Sequence, residues 1–369
     1  MRYYEAGETA SYFGSPFARD AATGAYQPGR EGRMIASTGK ILAMVSSPSY
    51  DPNLLATHDA DEQGKAWTQL GDDPDSPLTN RAIAETYPPG STFKVVTASA
   101  GLESGKVTET TPSFPVSTGY QPPLTTRTIR NFDGANCGGT LFELLRVSCN
   151  GGFAAMGAEV LGPEIMIGGA EAFGFNDVPP IDLPGAVRSV FPTDFGKRLR
   201  DGDDPGDAAV YEKTPQLAQA SIGQNDVSAT PLQMAMVAAA VRNDGVVMQP
   251  YLVESVRSAD LQVLSQTRPS QLRIATSASN ASKLRQMMID VVTGGTGWRA
   301  KISGVTVGGK TGTANSDNIR TPYAWFIAWA DNPEVAVCVF VQDAEMEATD
   351  VAGGRVAAPI AKAVIEALR

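Results

Sequence analysis

The stretch Tyr87-Pro88-Pro89-Gly90-Ser91-Thr92-Phe93-Lys94 carries the strongest signal in this sequence. Its prolines and glycine interrupt any preceding element, and a helix is predicted from Ser91 to about Ser104, where Gly105 can end it. Residues three apart on a helix share one face, so we expect the Ser91 hydroxyl and the Lys94 amine to meet. A serine needs a base to become a nucleophile, and a lysine with a lowered pKa can be that base. The stretch therefore predicts a serine nucleophile with a lysine partner.

The chain contains a single histidine, His58, in a polar stretch that is typical of a surface loop. Mechanisms with an imidazole base need that ring beside the nucleophile, which such a loop does not favour. The chain also has a net charge of −10, and a nucleic-acid backbone recruits positive charge. Composition therefore favours a folded serine enzyme without a catalytic histidine and opposes a nucleic-acid-binding protein.

The same serine–lysine spacing occurs at Ser37-Thr38-Gly39-Lys40. Gly39 indicates a turn, and the apolar run from Lys40 to Ser46 predicts a buried strand. This second pair would then not share a helical face, so we assign the nucleophile to Ser91.

A second element of the site is Ser148-Cys149-Asn150, after a predicted helix from Thr140 to Val147. A hydroxyl near Lys94 can relay a proton to a leaving amine, and an amide can orient the lysine and a substrate carbonyl. Ser316-Asp317-Asn318 has the same pattern, but it closely follows the third element. One short segment is a poor candidate for two walls of a cleft, so we favour Ser148.

The third element is Gly308-Gly309-Lys310-Thr311-Gly312-Thr313-Ala314, which reads as a strand at a sheet edge. Alternation places Lys310 and Gly312 on one face and Thr311 and Thr313 on the other. A lysine and hydroxyls suit a terminal carboxylate, and the Thr313 N–H can donate to an oxyanion. Glycine here lets a ligand lie close to the backbone.

A phosphate-binding loop is the alternative for this segment, because Gly304 to Thr311 also fits the Gly-x-x-x-x-Gly-Lys-Thr pattern. That loop requires a helix beginning at its lysine. Val305-Thr306-Val307 is typical of a strand, and the polar Asn315 to Asn318 is a poor helix start. The sequence favours a strand.

Helices crowd the middle of the chain, and strands lie towards its ends. This order predicts an α/β (α+β) fold whose sheet is built from distant parts of the chain, with a helical subdomain inserted between them. Residues 1–33 read as a linker or the remnant of another module, and Pro48 to Leu78 reads as loop. Further predicted elements are helices from Pro231 to Asn243 after a Thr230 cap, Ser282 to Val292 and Ala357 to Leu368, and strands from Val305 to Ala314, Ala324 to Ala330 and Val335 to Gln342.

In this order, the three elements resemble the motifs of penicillin-binding proteins and serine β-lactamases. The lead-in Tyr87-Pro88-Pro89-Gly90 is similar to that of class B penicillin-binding proteins, and most of all to the actinobacterial penicillin-binding protein A type. The resemblance covers residues 34–369. Further matching segments are Lys40 to Ser46 with Ser49-Tyr50-Asp51-Pro52-Asn53, Ser221-Ile222-Gly223-Gln224 and Thr230-Pro231-Leu232-Gln233.

The resemblance implies an antiparallel five-stranded sheet flanked by helices, with residues 34–369 as a transpeptidase domain. It implies that Ser91 attacks the D-Ala-D-Ala carbonyl of a peptidoglycan stem peptide and that β-lactams trap Ser91. The catalytic residues it implies are Ser91, Lys94, Ser148 and Asn150, and the substrate-binding residues are Lys310, Thr311, Gly312 and Thr313.

The resemblance also implies the setting of the protein. No metal or cofactor is expected. A membrane glycosyltransferase of the elongation or division machinery is the expected partner. The expected location is the extracytoplasmic face of the cell membrane, through an N-terminal anchor outside this sequence.

The chain departs from the family pattern at three places. Asn225 stands where a glycine is common, Tyr323 stands where a histidine is common, and Gly151 and Gly152 follow Asn150, where a threonine is common. None of these changes removes a reacting group, but each could loosen the rim of the cleft or alter β-lactam affinity.

Other classes of protein share these motifs. A class D β-lactamase resembles the chain at Ser91-Thr92-Phe93-Lys94 and near Trp325-Phe326, and it would need a positioned water. A penicillin-sensing or scaffold domain would acylate without transfer to an amine, and a carboxypeptidase would use water as acceptor. Ser148-Cys149-Asn150, the lead-in and the chain length favour the transpeptidase.

The chain has three cysteines. Free thiols are the expectation for Cys137 and Cys149, and a local disulfide in an exported protein is the alternative that their close spacing leaves open. Cys338 lies in an apolar run that is typical of a buried strand.

Overall fold

The structure, a computed structural model, describes residues 35–202, 208–314, 322–342, 344 and 351–369, with the backbone of two short strands nearer the N-terminus. In these ranges the α-helices are α1 (Ile35–Thr38), α2 (Ala60–Gly71), α3 (Arg81–Ala84), α4 (Lys94–Glu103), α5 (Leu141–Val147), α6 (Asn150–Ala155), α7 (Gly162–Ala172), α8 (Thr214–Ala220), α9 (Pro231–Arg242), α10 (Ala278–Gly294) and α11 (Ala357–Ala367).

The strands of the described residues follow the same chain order. They are β1 (Ala18–Arg19), β2 (Tyr26–Gln27), β3 (Phe114–Ser117), β4 (Gly119–Tyr120), β5 (Ile129–Arg130), β6 (Cys137–Gly139), β7 (Arg198–Arg200), β8 (Val210–Tyr211), β9 (Val246–Met248), β10 (Ser255–Arg257), β11 (Val263–Gln266), β12 (Gln271–Ile274), β13 (Val307–Ala314), β14 (Tyr323–Asp331) and β15 (Glu334–Val341). Short 3₁₀ turns lie at Pro52–Leu55, Gly90–Phe93, Phe132–Gly134 and Trp298–Ala300, and a π-helical turn lies at Met156–Leu161.

The central sheet is antiparallel in the order β13-β14-β15, so β13 forms one edge. Its register pairs Gly312 with Trp325 and Trp325 with Phe340. The three strands predicted in the last third of the chain are confirmed, and Asp331 pairs with Glu334 across the predicted turn. A sheet edge at β13 leaves that strand open to a cleft.

Both faces of this sheet are buried. Trp325, Ile327 and Trp329 belong to the larger apolar cluster, which also contains residues of α4 and α9. Their neighbours Phe326 and Ala328 belong to a second cluster with α11. Burial on both faces accounts for the nearly continuous apolar runs that marked these strands in the sequence.

The fold class is confirmed, but in the described residues two details differ from the predicted sheet. The central sheet has three strands in the described residues, not five. The run from Lys40 to Ser46 is not a regular strand: Lys40 forms an isolated parallel bridge with Tyr251, and the Ile41 N–H donates to the Tyr251 carbonyl at 2.7 Å. Leu42 and Met44 pack against the second and the larger apolar cluster, respectively. The run is apolar because it lies between these clusters, although its backbone has little ladder pairing.

The predicted helices are present with small shifts of their ends. A 3₁₀ turn leads into α4, the Thr140 N–H donates to Glu143 at 2.6 Å in a capping box before α5, and Thr230 caps α9. The helix α2 was not predicted; it has no buried residue and lies within the stretch from Pro48 to Leu78 that reads as loop. The sequence analysis also missed α6, α7 and α8, the first two of which are rich in glycine.

Glycine in α7 has a packing reason. A Cβ at Gly169 would lie 2.5 Å from the Ala100 Cβ, so α7 can approach α4 closely only without a side chain there. Tertiary packing therefore requires glycine at this position, although glycine has a low helix propensity.

Glu103, the last residue of α4, ties that helix to the start of α10. Its carboxylate accepts hydrogen bonds from the Thr276 hydroxyl (2.7 Å), the Ser277 N–H (2.7 Å) and the Asn280 amide (2.6 Å). Burial raises the pKa of Glu103, but these hydrogen bonds outweigh burial and lower the pKa to about 2. The helix that follows the predicted nucleophile is thereby fixed to the helix that leads towards β13.

Within the described ranges, no helix is long and apolar enough to cross a bilayer.

Candidate active site

The predicted nucleophile lies in the 3₁₀ turn Gly90–Phe93, directly before α4. Gly90 has a φ of +52°, and a Cβ there would lie 2.6 Å from the Thr313 carbonyl oxygen of β13. Its N–H donates to the Gly223 carbonyl at 2.9 Å. Ser91 is partly exposed and lines the cleft, whereas Thr92 and Phe93 are buried. The glycine break thus sets Ser91 against the edge strand.

Lys94 is fully buried, and its ammonium makes three hydrogen bonds. It donates to the Ser148 carbonyl at 2.8 Å, to the Ser148 hydroxyl at 3.3 Å and to Asn150 Oδ1 at 2.6 Å. An ammonium has three protons, so these partners use all of them. The direct Ser91–Lys94 hydrogen bond that helical spacing predicts is therefore not made among the described contacts, while Lys94 meets both polar residues of the second element.

The second element lies where α5 ends and α6 begins. Ser148 has φ 60° and ψ 44°, a left-handed conformation that is uncommon outside glycine. Asn150 Nδ2 donates to the Arg130 carbonyl at 2.9 Å, which leaves its Oδ1 for Lys94. The backbone of β5 therefore fixes the orientation of the Asn150 amide.

The third element is β13, and its alternation is as predicted. Lys310 is fully buried, and its ammonium donates to the Ser148 hydroxyl at 2.8 Å and to the Thr311 carbonyl at 2.8 Å. Thr311 and Thr313 line the cleft instead. A terminal carboxylate would therefore meet the two threonines first, with the Lys310 charge behind them.

Gly312 has a packing role within the fold. A Cβ at this position would lie 2.9 Å from the Pro89 carbonyl oxygen and 2.9 Å from Thr92 Cγ2. The missing side chain lets β13 pack against the 3₁₀ turn Gly90–Phe93, so packing between these two elements requires a glycine here.

Burial and charge act on both lysines. Burial lowers the pKa of Lys94 well below its ordinary value, and the nearby Lys310 charge lowers it further. Burial lowers the pKa of Lys310 to about 7. A neutral lysine near physiological pH is what a base beside a serine requires.

These elements meet at a cleft with a cavity volume of about 1630 Å³. Ser91, Ser148, Asn150, Thr311 and Thr313 all line it. Pockets for small ligands are typically about 300–1,000 Å³, so this cleft has room for a peptide-sized substrate.

Two of the three alternative patterns lie in the described residues, and neither forms a site there. Lys40 follows Gly39 outside α1 and pairs with Glu254 at 2.7 Å, so the Ser37–Lys40 pair does not share a helical face. β13 runs straight through Lys310, so no helix begins at that lysine and the phosphate-loop alternative is wrong. Ser316-Asp317-Asn318 lies outside the described residues.

A family model described as the penicillin binding protein transpeptidase domain matches residues 34–366. The chain belongs to the penicillin-binding protein transpeptidase family. The resemblance drawn from the three motifs is therefore confirmed.

Two relatives of this penicillin-binding protein are mycobacterial. The peptidoglycan D,D-transpeptidase PbpA of Mycolicibacterium smegmatis is 43% identical over 95% of this chain and 70% of its own length. PbpA of Mycobacterium tuberculosis is 43% identical over 90% of this chain and 65% of its own length. The chain thus spans about two thirds of these relatives, and the penicillin-binding protein A type is confirmed.

Solved structures agree in fold. Penicillin-binding protein A from M. tuberculosis, as a ceftriaxone acyl-enzyme complex, has a TM-score of 0.79 and 40% identity over 90% of this chain and 72% of that chain. Penicillin-binding protein PBP2 of Pseudomonas aeruginosa has a TM-score of 0.72 and 30% identity over 90% of this chain and 71% of that chain.

Two departures from the family pattern have local explanations. Asn225 has a φ of 60°, a conformation for which glycine is common and asparagine is the usual substitute. A Cβ at Gly151 would lie 3.1 Å from the Gly119 backbone and 3.4 Å from Asn131 Oδ1, so a threonine would be crowded there. Both residues of this penicillin-binding protein therefore fit their local backbone surroundings.

The third departure lies in an aromatic group below the nucleophile turn. Tyr323 is buried, and its ring contacts the Tyr87 ring edge to face, with centroids 5.6 Å apart. The Phe340 ring also packs against the Tyr87 ring, with centroids 4.2 Å apart. Tyr323 therefore supports the lead-in to Ser91 as a packing residue.

Several supporting residues of this penicillin-binding protein were missed by sequence reasoning. Thr296 shares a hydrogen bond with Thr311, 2.7 Å between the hydroxyl oxygens, and the Gly353 N–H donates to the Thr313 hydroxyl at 3.4 Å. Asn131 accepts from the Gly151 N–H at 2.8 Å. They are polar residues in unremarkable stretches, so no sequence signal could have identified them.

Cys137 and Cys149 form a disulfide, which settles the question that their spacing left open. The bond joins β6 to the middle residue of the second element, between Ser148 and Asn150. Cys338 is free and buried in β15, as its apolar run predicted.

Proposed function

We propose that this penicillin-binding protein is a peptidoglycan D,D-transpeptidase that forms an acyl-enzyme on Ser91. The observation that carries the proposal is the convergence of Lys94 and Lys310 on the Ser148 hydroxyl beside a serine that lines the cleft. The mycobacterial relatives named PbpA support the same reaction class.

In the proposed acylation, Lys94 is the base. A neutral amine donates at most two hydrogen bonds, so loss of one proton from Lys94 breaks one of its three contacts and frees a lone pair. Ser91 lies one helical turn away, within reach of that lone pair. The Ser91 proton moves to Lys94 while its oxygen bonds to the substrate carbonyl.

The second half of the step releases D-alanine. The scissile carbon–nitrogen bond breaks, and the leaving amine takes a proton from Lys94 through the Ser148 hydroxyl, which accepts from Lys94 and can donate in turn. The backbone N–H groups of Ser91 and Thr313 are the proposed oxyanion donors. An amine of a neighbouring stem then attacks the ester carbonyl, the bond between that carbonyl and the Ser91 oxygen breaks, and the proton lost by the amine passes through Lys94 to Ser91. This step forms the cross-link and restores the Ser91 hydroxyl.

The terminal carboxylate of the substrate is proposed to bind Thr311 and Thr313. Both line the cleft, and both are held from behind, Thr311 by Thr296 and Thr313 by Gly353. The buried Lys310 adds a positive charge below them. Asn150, fixed by Lys94 and Arg130, is placed to hold the peptide carbonyl before the scissile bond.

The remaining expectations are proposals of the same kind. We assign residues 34–369 to the transpeptidase domain and 1–33 to a linker or a remnant of another module, in agreement with a family match over residues 34–366. We propose that the reaction takes place at the extracytoplasmic face of the membrane, where peptidoglycan stem peptides would be the substrate. A membrane glycosyltransferase would supply the strands that it cross-links.

The test is covalent labelling with penicillin G, read by intact mass and peptide mapping. Wild-type protein is expected to carry one penicilloyl group on Ser91, and Ser91→Ala none. The matched control is Ser37→Ala, in the second serine–lysine pair, which should label like the wild type. Labelling of the Ser91→Ala variant would show that another residue is the nucleophile.

Two further readouts separate the alternatives. A β-lactamase would lose the adduct within the time of the experiment, whereas a transpeptidase keeps it. A sensor domain would not release D-alanine from a D-Ala-D-Ala stem peptide. Cross-linked product with an added amine would distinguish the transpeptidase from a carboxypeptidase, which gives only the hydrolysed stem.

A further inference from the structure

The charge of the cleft is opposite to the charge of the chain. The whole sequence has a net charge of −10. Among the described residues that line the cleft, the cations are five arginines and the anions only Asp133 and Glu143. The arginines are Arg127, Arg130, Arg146, Arg299 and Arg355. A positive cleft in an acidic protein concentrates anionic ligands there.

The backbone of Arg130 holds this residue beside the second element. The Arg130 carbonyl accepts a hydrogen bond from Asn150 Nδ2 at 2.9 Å, and Arg130 is the antiparallel strand partner of Gly119 between β4 and β5. Its side chain is exposed, and so is that of Arg127. Neither side chain has an ion-pair partner in the described part of the chain. Two guanidinium groups therefore stand at the cleft with their donors open to a ligand.

Arg299 lies on the side of the third element. Its guanidinium stacks over the Trp298 ring at 4.4 Å from the ring centre, and Trp298 is 56% exposed although it is a large apolar side chain. The nearby Thr296 is hydrogen bonded to Thr311 of β13. A stacked guanidinium keeps its planar donors free for a carboxylate.

An exposed ring is also present near Arg130. Phe132 follows it by two residues, lines the cleft and is 60% exposed. The cleft therefore offers an apolar ring and an arginine at each of two places, beside β5 and beside β13. This combination suits an extended peptide that carries carboxylates, because the rings cover its backbone and the arginines bind its acidic groups.

We propose that these two arginine–aromatic sites bind carboxylate groups of the stem peptide, so that the protein prefers stems with free carboxylates over stems in which those groups are amides. The inference rests on the proposed function, since it names a further requirement on the same substrate. The carboxylate can belong to the donor stem that acylates Ser91 or to the acceptor stem that brings the amine. The chemistry of recognition is the same in both cases.

The experiment uses twin substrates that differ only in charge. For the donor, the twins are D-Ala-D-Ala stem peptides with a carboxylate or a carboxamide on the residue before the dipeptide, and release of D-alanine is measured. For the acceptor, the twins are amines with a free or an amidated carboxylate, and partition of the acyl-enzyme between amine and water is measured. Selectivity in the first arm assigns the sites to the donor, and selectivity in the second assigns them to the acceptor.

The wild type is expected to favour the acid twin about tenfold in one arm, which corresponds to ~1.4 kcal/mol. In Arg127→Gln/Arg130→Gln this ratio should fall to about threefold or less, because two of the three proposed ion pairs are removed and each exposed pair contributes roughly 0.2–1 kcal/mol. Arg299→Gln should lower it as well, and Arg130→Lys in the Arg127→Gln background should restore part of it. The ratio should also fall as salt is added.

The matched control is Arg257→Gln, an exposed arginine on β10 that does not line the cleft. It should keep the full preference. Penicillin labelling of Ser91 in each variant shows that the site is still assembled. If the Arg127→Gln/Arg130→Gln variant does not take up penicillin, its site is not assembled, and the acid-to-amide ratio of the Arg299→Gln variant is used to test the inference instead.

Equal rates for the twins in both arms of the wild type would overturn the inference, and so would a tenfold ratio that survives all the arginine substitutions. Both results leave Ser91 acylation intact and thus leave the proposed function standing. Absence of any penicillin adduct or D-alanine release in the wild type would instead overturn the proposed function and this inference with it.

Discussion

Lys94 and Lys310 donate to the same oxygen, the Ser148 hydroxyl, at 3.3 and 2.8 Å. Both lysines are fully buried, so two like charges share one small polar group away from water. A hydroxyl oxygen has two lone pairs and can accept from both. The arrangement is least costly when one lysine is neutral, and that makes the protonation of each lysine depend on the other.

The first prediction concerns this dependence. In Lys310→Met, removal of the neighbouring charge should raise the pKa of Lys94, because that charge adds to the lowering caused by burial. The acid limb of the pH profile for penicillin acylation should then move to higher pH, and the rate near neutral pH should fall by about 10² or more. Stopped-flow acylation with a chromogenic penicillin between pH 5 and 9 measures both effects.

Lys301→Met, at an exposed lysine before β13, is the control and should keep the wild-type profile. An acid limb that stays in place or moves to lower pH in Lys310→Met would contradict the proposed coupling.

The second prediction separates the hydroxyl of Ser148 from its backbone. Ser148→Ala and Ser148→Gly both remove the shared acceptor, so acylation should fall by about 10² or more in each. Residue 148 has a left-handed backbone conformation, which costs free energy for alanine but not for glycine. The free energy of unfolding of the Ser148→Gly variant should therefore exceed that of Ser148→Ala by about 1 kcal/mol. Urea unfolding gives the difference. Wild-type acylation in the glycine variant would mean that the hydroxyl is dispensable.

The third prediction concerns Asn225, where the family commonly has glycine. Its φ of 60° should make Asn225→Gly neutral within a few tenths of a kcal/mol, whereas Asn225→Val should cost roughly 1–2 kcal/mol. Thermal unfolding of the pair compares them directly. If the valine variant unfolds at the wild-type temperature, backbone conformation is not the reason for the family preference.

The fourth prediction concerns the Glu103 anchor between α4 and α10. The pKa of Glu103 in the folded state lies below its ordinary value of 4.5, at about 2. The ionised carboxylate therefore stabilises the fold above about pH 4.5, and this contribution is lost as the pH falls towards 2. Because Glu103 is largely exposed, solvent screening limits the effect to about 1 kcal/mol.

The variant Glu103→Gln should thus be less stable than the wild type at pH 7 and closer to it at pH 3, by urea unfolding. Glu109→Gln, at an exposed glutamate outside this network, is the matched control. A deficit for Glu103→Gln that is the same at both pH values would show that charge is not what the carboxylate contributes.

Sequence reasoning succeeded where a local pattern sets the structure. Turn residues around Ser91 predicted the break and the helix after it, and strand alternation in β13 predicted that Lys310 and Thr311 face opposite ways. The second serine–lysine pair, Ser37 and Lys40, could be rejected as a catalytic pair because Gly39 between them indicates a turn and not a helix. In each case, neighbours in sequence decide the conformation.

Features that depend on contacts between residues distant in sequence could not be predicted. Nothing near Gly312 in the sequence reveals that its missing side chain makes room for Pro89 and Thr92. Nothing near Lys94 reveals that Ser148 and Asn150 use all its protons. The run after Lys40 is apolar because it lies between two clusters, and the pattern of one segment cannot show whether a partner strand exists.

The separation of the three motifs along the chain has a practical consequence. Lys94 and Ser148 are 54 residues apart in sequence, and Lys310 and Ser148 are 162 residues apart. The pocket is therefore complete only after β13 has docked on the helices. Contacts of such long range form late when a chain folds. Stoichiometric uptake of penicillin therefore counts correctly folded molecules in a preparation, and refolding followed by this titration would report the closing event itself.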